Sequence, residues 1–462
     1  MERLDSLSVN ELIQIILDQQ RLIEQLRAEI EQLKRRGSAA PFSKGTHKPN
    51  PKRAGRKPGQ GSFSRRTEPR SAADQPPVEV PVEADCCPDC GGPLGECWEE
   101  VVSTTDIPPQ PQPEVRKYAI QVRTCQRCGK SVRGQHPDVA EGQQGATAHR
   151  LGPRVKAMAH FLHYEKGVPV RKVPAIIAEL TGVQLTQGAI TQDAMKQSEQ
   201  GVGARYEQLR ESVREQAAIH TDDTGWRVGG EVAYLMAFVN QELSVYQIRK
   251  QHRNEEVREL IPADFAGVMV CDRGKSYDAE ELSEIEQQKC LSHLIRNAVE
   301  VADSKTGRAK QFSQGLKDLL KQALVLSEKR IELDPGDYQR QVAELDEELT
   351  RHLRNRILRD DDNQRLLNGV GTQHDRGHIL RFLHQPDIEP TNNRTERDLR
   401  PAVISRKVSQ CSKNQRGAHA FEAFTSVLET IRKTSPLAIL RTLVLGGHPK
   451  PAIEGHFKTG QR

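Results

Sequence analysis

Aromatic residues and long apolar runs are scarce in this sequence of 462 residues. Phenylalanine, tyrosine and tryptophan make up 4% of the chain, and the mean hydropathy is -0.68. These values exclude one continuous apolar core and predict that much of the chain is solvated helix or linker. The length predicts about three or four units of ~150 residues each. No run approaches the ~18 apolar residues of a membrane span, so we expect no membrane partner.

A disulfide framework is also missing. The nine cysteines are an odd number, and most of them lack the spacing of such frameworks. The first residues have a charged, helical pattern and do not resemble a signal peptide. We therefore expect a reducing, cytoplasmic compartment in which some of the cysteines bind metal.

Two Cys-x-x-Cys pairs, each followed by glycine, carry the strongest local signal. Cys87 and Cys90 form the first pair, and Cys125 and Cys128 form the second. This spacing predicts a zinc ribbon over residues 85–135 with a structural Zn²⁺ on four thiolates. Such a closed site supports folding and takes no part in catalysis. Cys86 could replace Cys87, although Cys87 is the one in register.

The N-terminal segment, residues 1–36, has the heptad pattern of a coiled coil. Branched apolar residues recur at its a positions, namely Val9, Ile16, Ile23 and Ile30. This pattern predicts a parallel homodimer or a larger oligomer, and a single amphipathic helix is the alternative. Residues 37–84 are basic and rich in glycine and proline, which predicts a disordered linker that contacts phosphates without reading sequence.

Residues 141–215 have helical periodicity interrupted by a glycine turn. The pattern predicts helices over residues 173–180 and 186–196, joined by Thr-Gly-Val. As a helix-turn-helix, this region would place its second helix in a major groove of DNA. The side chains that would then face the bases are Thr186, Gln187, Thr191 and Gln192. A helical connector without contact to DNA is the alternative.

Two short apolar runs, predicted to be buried strands, end at aspartates. Asp222 and Asp223 follow the first run, and Asp272 follows the second. A helix predicted to begin near Asn393 carries Glu396 in its first turn. Buried carboxylates are costly unless cations or hydrogen bonds compensate them. Three of them could hold two divalent cations that catalyse phosphoryl transfer.

Each of these residues also has a simpler interpretation. Asp222 and Asp223 could form a turn that leads to Gly225. Glu396 could tie off the start of its helix as part of a capping box. Cys290 and His293 have the spacing of metal ligands and could form a second metal site, or they could be a packed thiol and a hydrogen-bonded imidazole.

The order of elements predicts a multidomain α+β protein. Strands are expected over residues 232–239 and 243–249 and before Asp272, as a meander followed by strand–helix units. This arrangement predicts an RNase H-like α/β catalytic domain over residues 216–435. A polar helical insertion is expected at about 291–367, and residues 436–462 form a C-terminal tail.

Together these features resemble the IS66 family of insertion-sequence transposases. The resemblance extends from the coiled-coil segment to about Lys433. It is most specific in residues 220–227, His-Thr-Asp-Asp-Thr-Gly-Trp-Arg, and in residues 392–400, Asn-Asn-Arg-Thr-Glu-Arg-Asp-Leu-Arg. The family usually has glutamate at the position of Asp223, and the residues alone do not decide between Asp222 and Asp223.

The resemblance implies a DDE transposase in which Asp222, Asp272 and Glu396 hold two Mg²⁺ or Mn²⁺ ions. Such an enzyme nicks the ends of its element, and the freed 3′-hydroxyl attacks target DNA at the same site without a covalent protein–DNA intermediate. The implied partners are double-stranded DNA, as terminal inverted repeats and target, and accessory proteins encoded beside the enzyme. The implied location is the bacterial cytoplasm, in association with the nucleoid.

Basic residues follow Glu396 along the chain, and we expect them to contact phosphates beside the scissile bond. They are Arg397, Arg400, Arg406 and Lys407. Ordinary helix-surface charge is the alternative. Two other functions fit the same sequence: a catalytically silent, zinc-dependent DNA-binding or assembly protein, and a metal-dependent nuclease without strand transfer.

Overall fold

A computed structural model describes residues 14, 18–24, 79–83, 85–99, 113–134, 151–354, 356–409 and 411–434. The chain divides into two compact units, Met1–Pro108 and Pro109–Arg462. In the first unit, residue 14 and residues 18–24 are helical, as the heptad pattern predicts. The rest of the coiled-coil segment, most of the basic linker and the C-terminal tail lie outside the described residues, and pairing of two chains stays a prediction.

The second unit contains two sheets. A small antiparallel pair consists of β1 (Val122–Thr124) and β2 (Ser131–Arg133). The larger sheet has five strands: β3 (Ala218–Val228), β4 (Glu231–Val239), β5 (Ser244–Arg249), β6 (Val268–Cys271) and β7 (Gln287–Lys289). Its order is β5-β4-β3-β6-β7, with antiparallel pairing from β5 to β3 and parallel pairing from β3 to β7.

Helices account for most of the remaining described residues. In the second unit, four α-helices precede the large sheet: α1 (Pro153–His160), which continues as a π-helix over Phe161–Glu165, α2 (Val173–Thr181), α3 (Gln187–Ser198) and α4 (Gly201–Ser212). Eight follow β5: α5 (Asn254–Arg258), α6 (Leu291–Asp303), α7 (Gln311–Glu328), α8 (Pro335–Leu353), α9 (Asp361–Asp375), α10 (Arg381–His384), α11 (Asn393–Ser409) and α12 (Gln415–Thr434). In the part of the chain that the structure describes, no helix is both long and apolar enough to cross a membrane.

The prediction of a strand end and turn at Asp222 and Asp223 is wrong. Strand β3 continues for 11 residues, and Asp222 and Asp223 pair across to Ala237 and Met236 of β4. The turn comes later, at Gly229 and Gly230, whose φ angles of 62° and 91° fit a tight two-residue hairpin. Pairing with β4 therefore outweighs the local turn preference of the aspartates.

Strands β4, β5 and β6 lie where the apolar runs predict them, whereas β7 was not predicted. Its three residues, Gln287, Gln288 and Lys289, are polar and buried. Hydrogen bonds, and not apolar packing, hold these buried side chains. For example, the Gln288 side-chain amide donates to the carbonyl of Ile379 at 2.8 Å. A strand of this composition gives no period-2 signal, because both of its faces are enclosed by tertiary contacts.

The helical insertion extends further than predicted and is not simply polar. It runs from α6 to α10, and so ends at His384 and not near residue 367. Leucines at helical spacing give it an apolar core of its own, to which Leu316, Leu320 and Val370 contribute. The same core includes Val268 and Val270 of β6, so the insertion packs directly on the sheet.

Candidate active site

Two of the predicted carboxylates belong to neighbouring parallel strands: Asp222 lies within β3, and Asp272 directly follows the last residue of β6. His220 of β3 is opposite Val270 of β6, and Asp222 and Asp272 each lie two residues further along the chain. Side chains alternate between the faces of a sheet, and adjacent strands lie about 4.8 Å apart. Asp222 and Asp272 therefore share one face, and Asp223 lies on the other.

Helix α11 covers the Asp222 face. Leu399 and Ala402 of this helix pack in one apolar cluster with Trp226 of β3. Arg406 donates to the Thr224 hydroxyl at 3.2 Å and to the carbonyl of Gly225. These contacts fix the helix that carries Glu396 against the strand that carries Asp222.

Asp223 has a separate partner on the opposite face. His252 Nδ1 lies 3.1 Å from Asp223 Oδ1. Burial raises the pKa of the Asp223 carboxyl; the nearby His252 works against this shift, and the charge of Asp272 adds to it. The His252 ring lies between those of Tyr234 and Tyr277, at centroid distances of 5.8 and 5.7 Å. Asp223 is thus part of a packed pair with histidine.

The carboxyl of Asp222 has a strongly raised pKa. Burial raises its pKa to about 7; the backbone N–H of Asp223 and the charge of His293 oppose the shift, and the carboxylates of Asp272 and Asp223 add to it. Asp272 Oδ1 accepts a hydrogen bond from the backbone N–H of Gly274 at 2.7 Å. Two nearby carboxylates that repel each other in a buried place are what a bound cation relieves.

Glu396 lies in the first turn of α11, as predicted, and its side chain is 41% exposed. Its Oε1 atom lies 3.8 Å from Nε2 of His293. The Cys290 thiol raises the pKa of His293, which favours the charged imidazolium beside Glu396. His293 also influences the pKa of Asp222, so one histidine links Glu396 to the aspartates.

Asn392 joins the elements of the site, and sequence reasoning missed it. It is fully buried: its side-chain amide donates to the carbonyl of Thr221 at 2.8 Å, and its backbone N–H donates to Cys290 Sγ at 3.1 Å. Its Oδ1 atom accepts from the Thr395 hydroxyl at 2.7 Å. The only available signal was the Asn-Asn pair before Glu396, and a buried bridging role requires knowledge of the tertiary contacts.

The structure places Cys290 and His293 beside the carboxylates. Cys290 is 1% exposed. Burial works to raise the pKa of its thiol, but interactions with His293 and the Asn392 backbone outweigh burial and lower it. These contacts correspond to the packed thiol and hydrogen-bonded imidazole of the alternative interpretation, and a second metal site stays a prediction.

The fit of this site to divalent cations rests on its chemistry. Within the described ranges, no group of three or more His, Cys, Asp or Glu side chains is arranged to hold a metal ion. The donors of Asp222, Asp272 and Glu396 are nevertheless carboxylate oxygens, which Mg²⁺ and Mn²⁺ prefer. Burial raises the pKa of Asp222 and the charges of Asp272 and Asp223 raise it further, and a group of carboxylates in such surroundings fits a divalent cation.

The two cysteine pairs form similar local turns. In the first, the N–H of Gly91 donates to the carbonyl of Cys87 at 2.9 Å. In the second, which connects β1 and β2, the N–H of Gly129 donates to the carbonyl of Cys125 at 2.9 Å. Backbone N–H groups lower the pKa of both Cys87 and Cys125, which favours the thiolates that Zn²⁺ binds. All nine cysteines are free.

Helices α2 and α3 lie where the pattern predicts two helices, with Gly182 between them at a φ of 71°, and their use as a helix-turn-helix stays a prediction. Thr186 is the N-cap of α3, because its side chain accepts from the N–H of Ala189. The Thr191 hydroxyl donates to carbonyls of its own helix. Gln187 and Gln192 are exposed, and contact with bases stays a prediction for all four residues.

Of the basic residues after Glu396, Arg397, Arg400 and Lys407 are exposed on α11. Arg406 differs from them, because its guanidinium binds β3. Its place beside Thr224 makes it a positioning residue for α11 in the described structure.

The mixed five-stranded sheet with its many helices fits the catalytic region of a transposase. The family model described as Transposase IS66 family matches residues 149–420 of this chain. Because the match covers more than half of the 462 residues, the chain belongs to the IS66 transposase family. This membership indicates an enzyme that acts on DNA. No curated protein matches the sequence.

Proposed function

We propose that this chain is a DNA transposase that cuts the ends of its insertion sequence and joins the freed 3′-hydroxyl to target DNA. The proposal is supported by the parallel register of β3 and β6, from which we infer that Asp222 in β3 and Asp272 directly after β6 face the same side. Glu396 approaches the same face on α11, which Asn392 ties to β3. The strand order, an antiparallel meander followed by parallel strands, supports an RNase H-like catalytic domain.

Asp222, Asp272 and Glu396 would hold two Mg²⁺ or Mn²⁺ ions, which supply activation of the attacking oxygen and stabilisation of the leaving oxygen in phosphodiester cleavage. The protein contributes rigid positions for the three carboxylates. The register of β3 and β6 would fix the positions of the two aspartates, and the hydrogen bonds of Asn392 and Arg406 to β3 would fix the position of the helix that carries Glu396. His293 orients the Glu396 carboxylate from the side. One site serves both cleavage and joining, so no covalent protein–DNA intermediate is required.

Exposed basic and amide side chains are the candidates for contact with DNA. Arg397, Arg400 and Lys407 extend from the helix that carries Glu396 and would bind phosphates beside the scissile bond. Gln187 and Gln192 of α3 are available to read bases in a major groove. We assign a structural Zn²⁺ to Cys87, Cys90, Cys125 and Cys128, and dimerisation to residues 1–36. Accessory proteins encoded by the same element are candidate partners.

The test is a strand-transfer assay on pre-nicked DNA from the element's own ends, with Mg²⁺ or Mn²⁺. Wild type and Glu396→Gln are compared with Glu347→Gln, a control at an exposed glutamate of α8. We expect joined product from wild type and the control, and DNA binding without product from Glu396→Gln.

The other outcomes separate the rival functions. Cleavage without joining by wild type would identify a metal-dependent nuclease. Binding without cleavage or joining by any version would identify a catalytically silent DNA-binding protein. Joining by Glu396→Gln at the wild-type rate would remove Glu396 from the site.

A further inference from the structure

A cavity of about 320 Å³ lies between the loop after β6 and helix α9 of the insertion. Its lining residues are Arg273, Asp278, Gly369, Thr372, Gln373 and Arg376, and we call it the Arg273 pocket. Arg273 follows Asp272 directly in the chain, so the pocket adjoins the carboxylate site. Arg273 also lines a second cavity of about 330 Å³.

The acidic group of the pocket is already neutralised by the protein. Asp278 Oδ1 lies 2.7 Å from Nζ of Lys289, a lysine with no exposed surface. The side-chain amide of Gln373 donates to the same oxygen at 3.1 Å. The charges of Arg273 and of the exposed Arg376 therefore give the pocket its positive character.

Arg273 is a cation with an unused hydrogen-bond donor. Its Nε atom is buried and has no hydrogen-bond partner. When the Asn297 amide oxygen faces Arg273, it accepts from Nη2 at 2.8 Å, which holds one end of the guanidinium. Arginine does not lose its proton in proteins, so this buried donor lacks a hydrogen-bond acceptor, and an anionic acceptor would also balance the guanidinium charge.

Gly369 of α9 makes room for this guanidinium. A Cβ atom at this position would lie 2.6 Å from Nη1 of Arg273. Glycine in a helix interior is unfavourable relative to alanine. Helix α9 nevertheless has glycine at position 369, next to the Arg273 guanidinium, and any side chain at this position would displace the guanidinium.

We propose that the Arg273 pocket binds a backbone phosphate of the DNA strand that enters the carboxylate site. Guanidinium groups match the oxygens of a phosphate in fork geometry, and phosphate contacts set the register of a protein on DNA. Arg273 binds the phosphate from within the pocket, and Arg376 binds it from the exposed rim. The helical insertion therefore positions the strand for the reaction. This inference rests on the proposed function.

The first experiment compares Gly369→Ala with Gly371→Ala in the same helix, where a Cβ atom would meet its nearest neighbour at 4.0 Å. Arg376→Gln is compared with Arg340→Gln, which removes an exposed charge paired with Asp337. Binding of pre-nicked element-end duplex is measured in EDTA over a range of salt concentrations. We expect Gly369→Ala and Arg376→Gln to bind about tenfold more weakly and to lower the salt slope by about 1, and the controls to match wild type.

The second experiment replaces the phosphates near the nick, one at a time, with uncharged methylphosphonates. We expect one replacement to weaken binding by wild type and Gly371→Ala, with no further effect on Gly369→Ala. If wild type binds and joins DNA, but Gly369→Ala and Arg376→Gln match their controls, the pocket assignment is overturned and the transposase proposal stands. If wild type binds no DNA, both fail.

Discussion

The two faces of β3 place neighbouring aspartates in different surroundings. On one face, Asp222 lies near Asp272 and the helix of Glu396, and burial among like charges raises its pKa to about 7. On the other, His252 Nδ1 lies 3.1 Å from Asp223 Oδ1 and works against the burial that raises the pKa of Asp223. Only Asp222 shares its face with the helix of Glu396, so the surroundings of each aspartate, and not the sequence motif alone, distinguish the residue suited to bind a cation.

The largest effect is expected from Asp272→Asn, which removes one carboxylate from the Asp222 face. Strand transfer should fall by at least about 10³-fold, as for residues that act as a catalytic unit. The protein should stay folded, because the substitution removes repulsion from Asp222. Gel assays of joined product and thermal unfolding check both statements. Activity within tenfold of wild type would break the comparison between the faces.

Asn392→Ala should lower the free energy of unfolding, because Asn392 connects β3 to the start of α11 by hydrogen bonds. The substitution removes two buried side-chain hydrogen bonds and leaves the Thr221 carbonyl and the Thr395 hydroxyl without these partners, at a cost of about 2–3 kcal/mol. Asn393→Ala is the matched control, because Asn393 is exposed at the start of α11. Urea denaturation measures both. Equal stability of the two variants would show that the hydrogen bonds of Asn392 do not hold β3 and α11 together.

His293→Gln and His252→Gln compare the histidines of the two faces. His293 lies beside Glu396, and we expect its loss to reduce strand transfer by about 10–100-fold, as for residues that orient metal ligands. His252 contacts Asp223, and its replacement should change the rate by less than about threefold. Rates at saturating DNA measure the difference. A larger effect at His252 would reverse the roles assigned to the two faces.

The smallest effect concerns the pH dependence of stability without metal. The folded-state pKa of Asp222, about 7, exceeds its ordinary value of about 3.9. Between these values the folded protein binds more protons than the unfolded chain, so this carboxyl makes the protein less stable as pH rises. The slope is at most about 1.4 kcal/mol per pH unit.

The measurement is the difference in unfolding free energy between wild type and Asp222→Asn, from about pH 5 to about pH 8 in EDTA. The advantage of the variant should grow toward the higher pH. Added Mg²⁺ should then stabilise wild type more than the variant, because it binds only the folded site. A difference that does not change with pH would show that Asp222 has an ordinary pKa.

Much of the sheet could be predicted from sequence, because β4, β5 and β6 are apolar runs bounded by polar or turn-forming residues. The positions of Asp272 after a strand and of Glu396 in the first turn of a helix followed from the same signals. These are properties of short segments, which periodicity and capping rules describe.

The features that prediction missed depend on contacts between distant segments. The continuation of β3 through Asp222 and Asp223 depends on pairing with β4, which outweighs turn preference. The polar strand β7 is held by side-chain hydrogen bonds to the insertion. The family resemblance indicated Asp222 and not Asp223, and the alternation of β3 with its register on β6 adds a physical reason for this proposal. The pairing of Asp223 with His252 gave no local signal.

The most direct test of the account is strand transfer by Asp222→Asn and Asp223→Asn, assayed side by side with the same pre-nicked DNA and Mn²⁺. We expect a loss of at least about 10³-fold for Asp222→Asn and of less than about tenfold for Asp223→Asn. Both variants should bind the DNA, which separates a chemical defect from a folding defect. A loss for Asp223→Asn that equals or exceeds the loss for Asp222→Asn would contradict the assignment of the catalytic face.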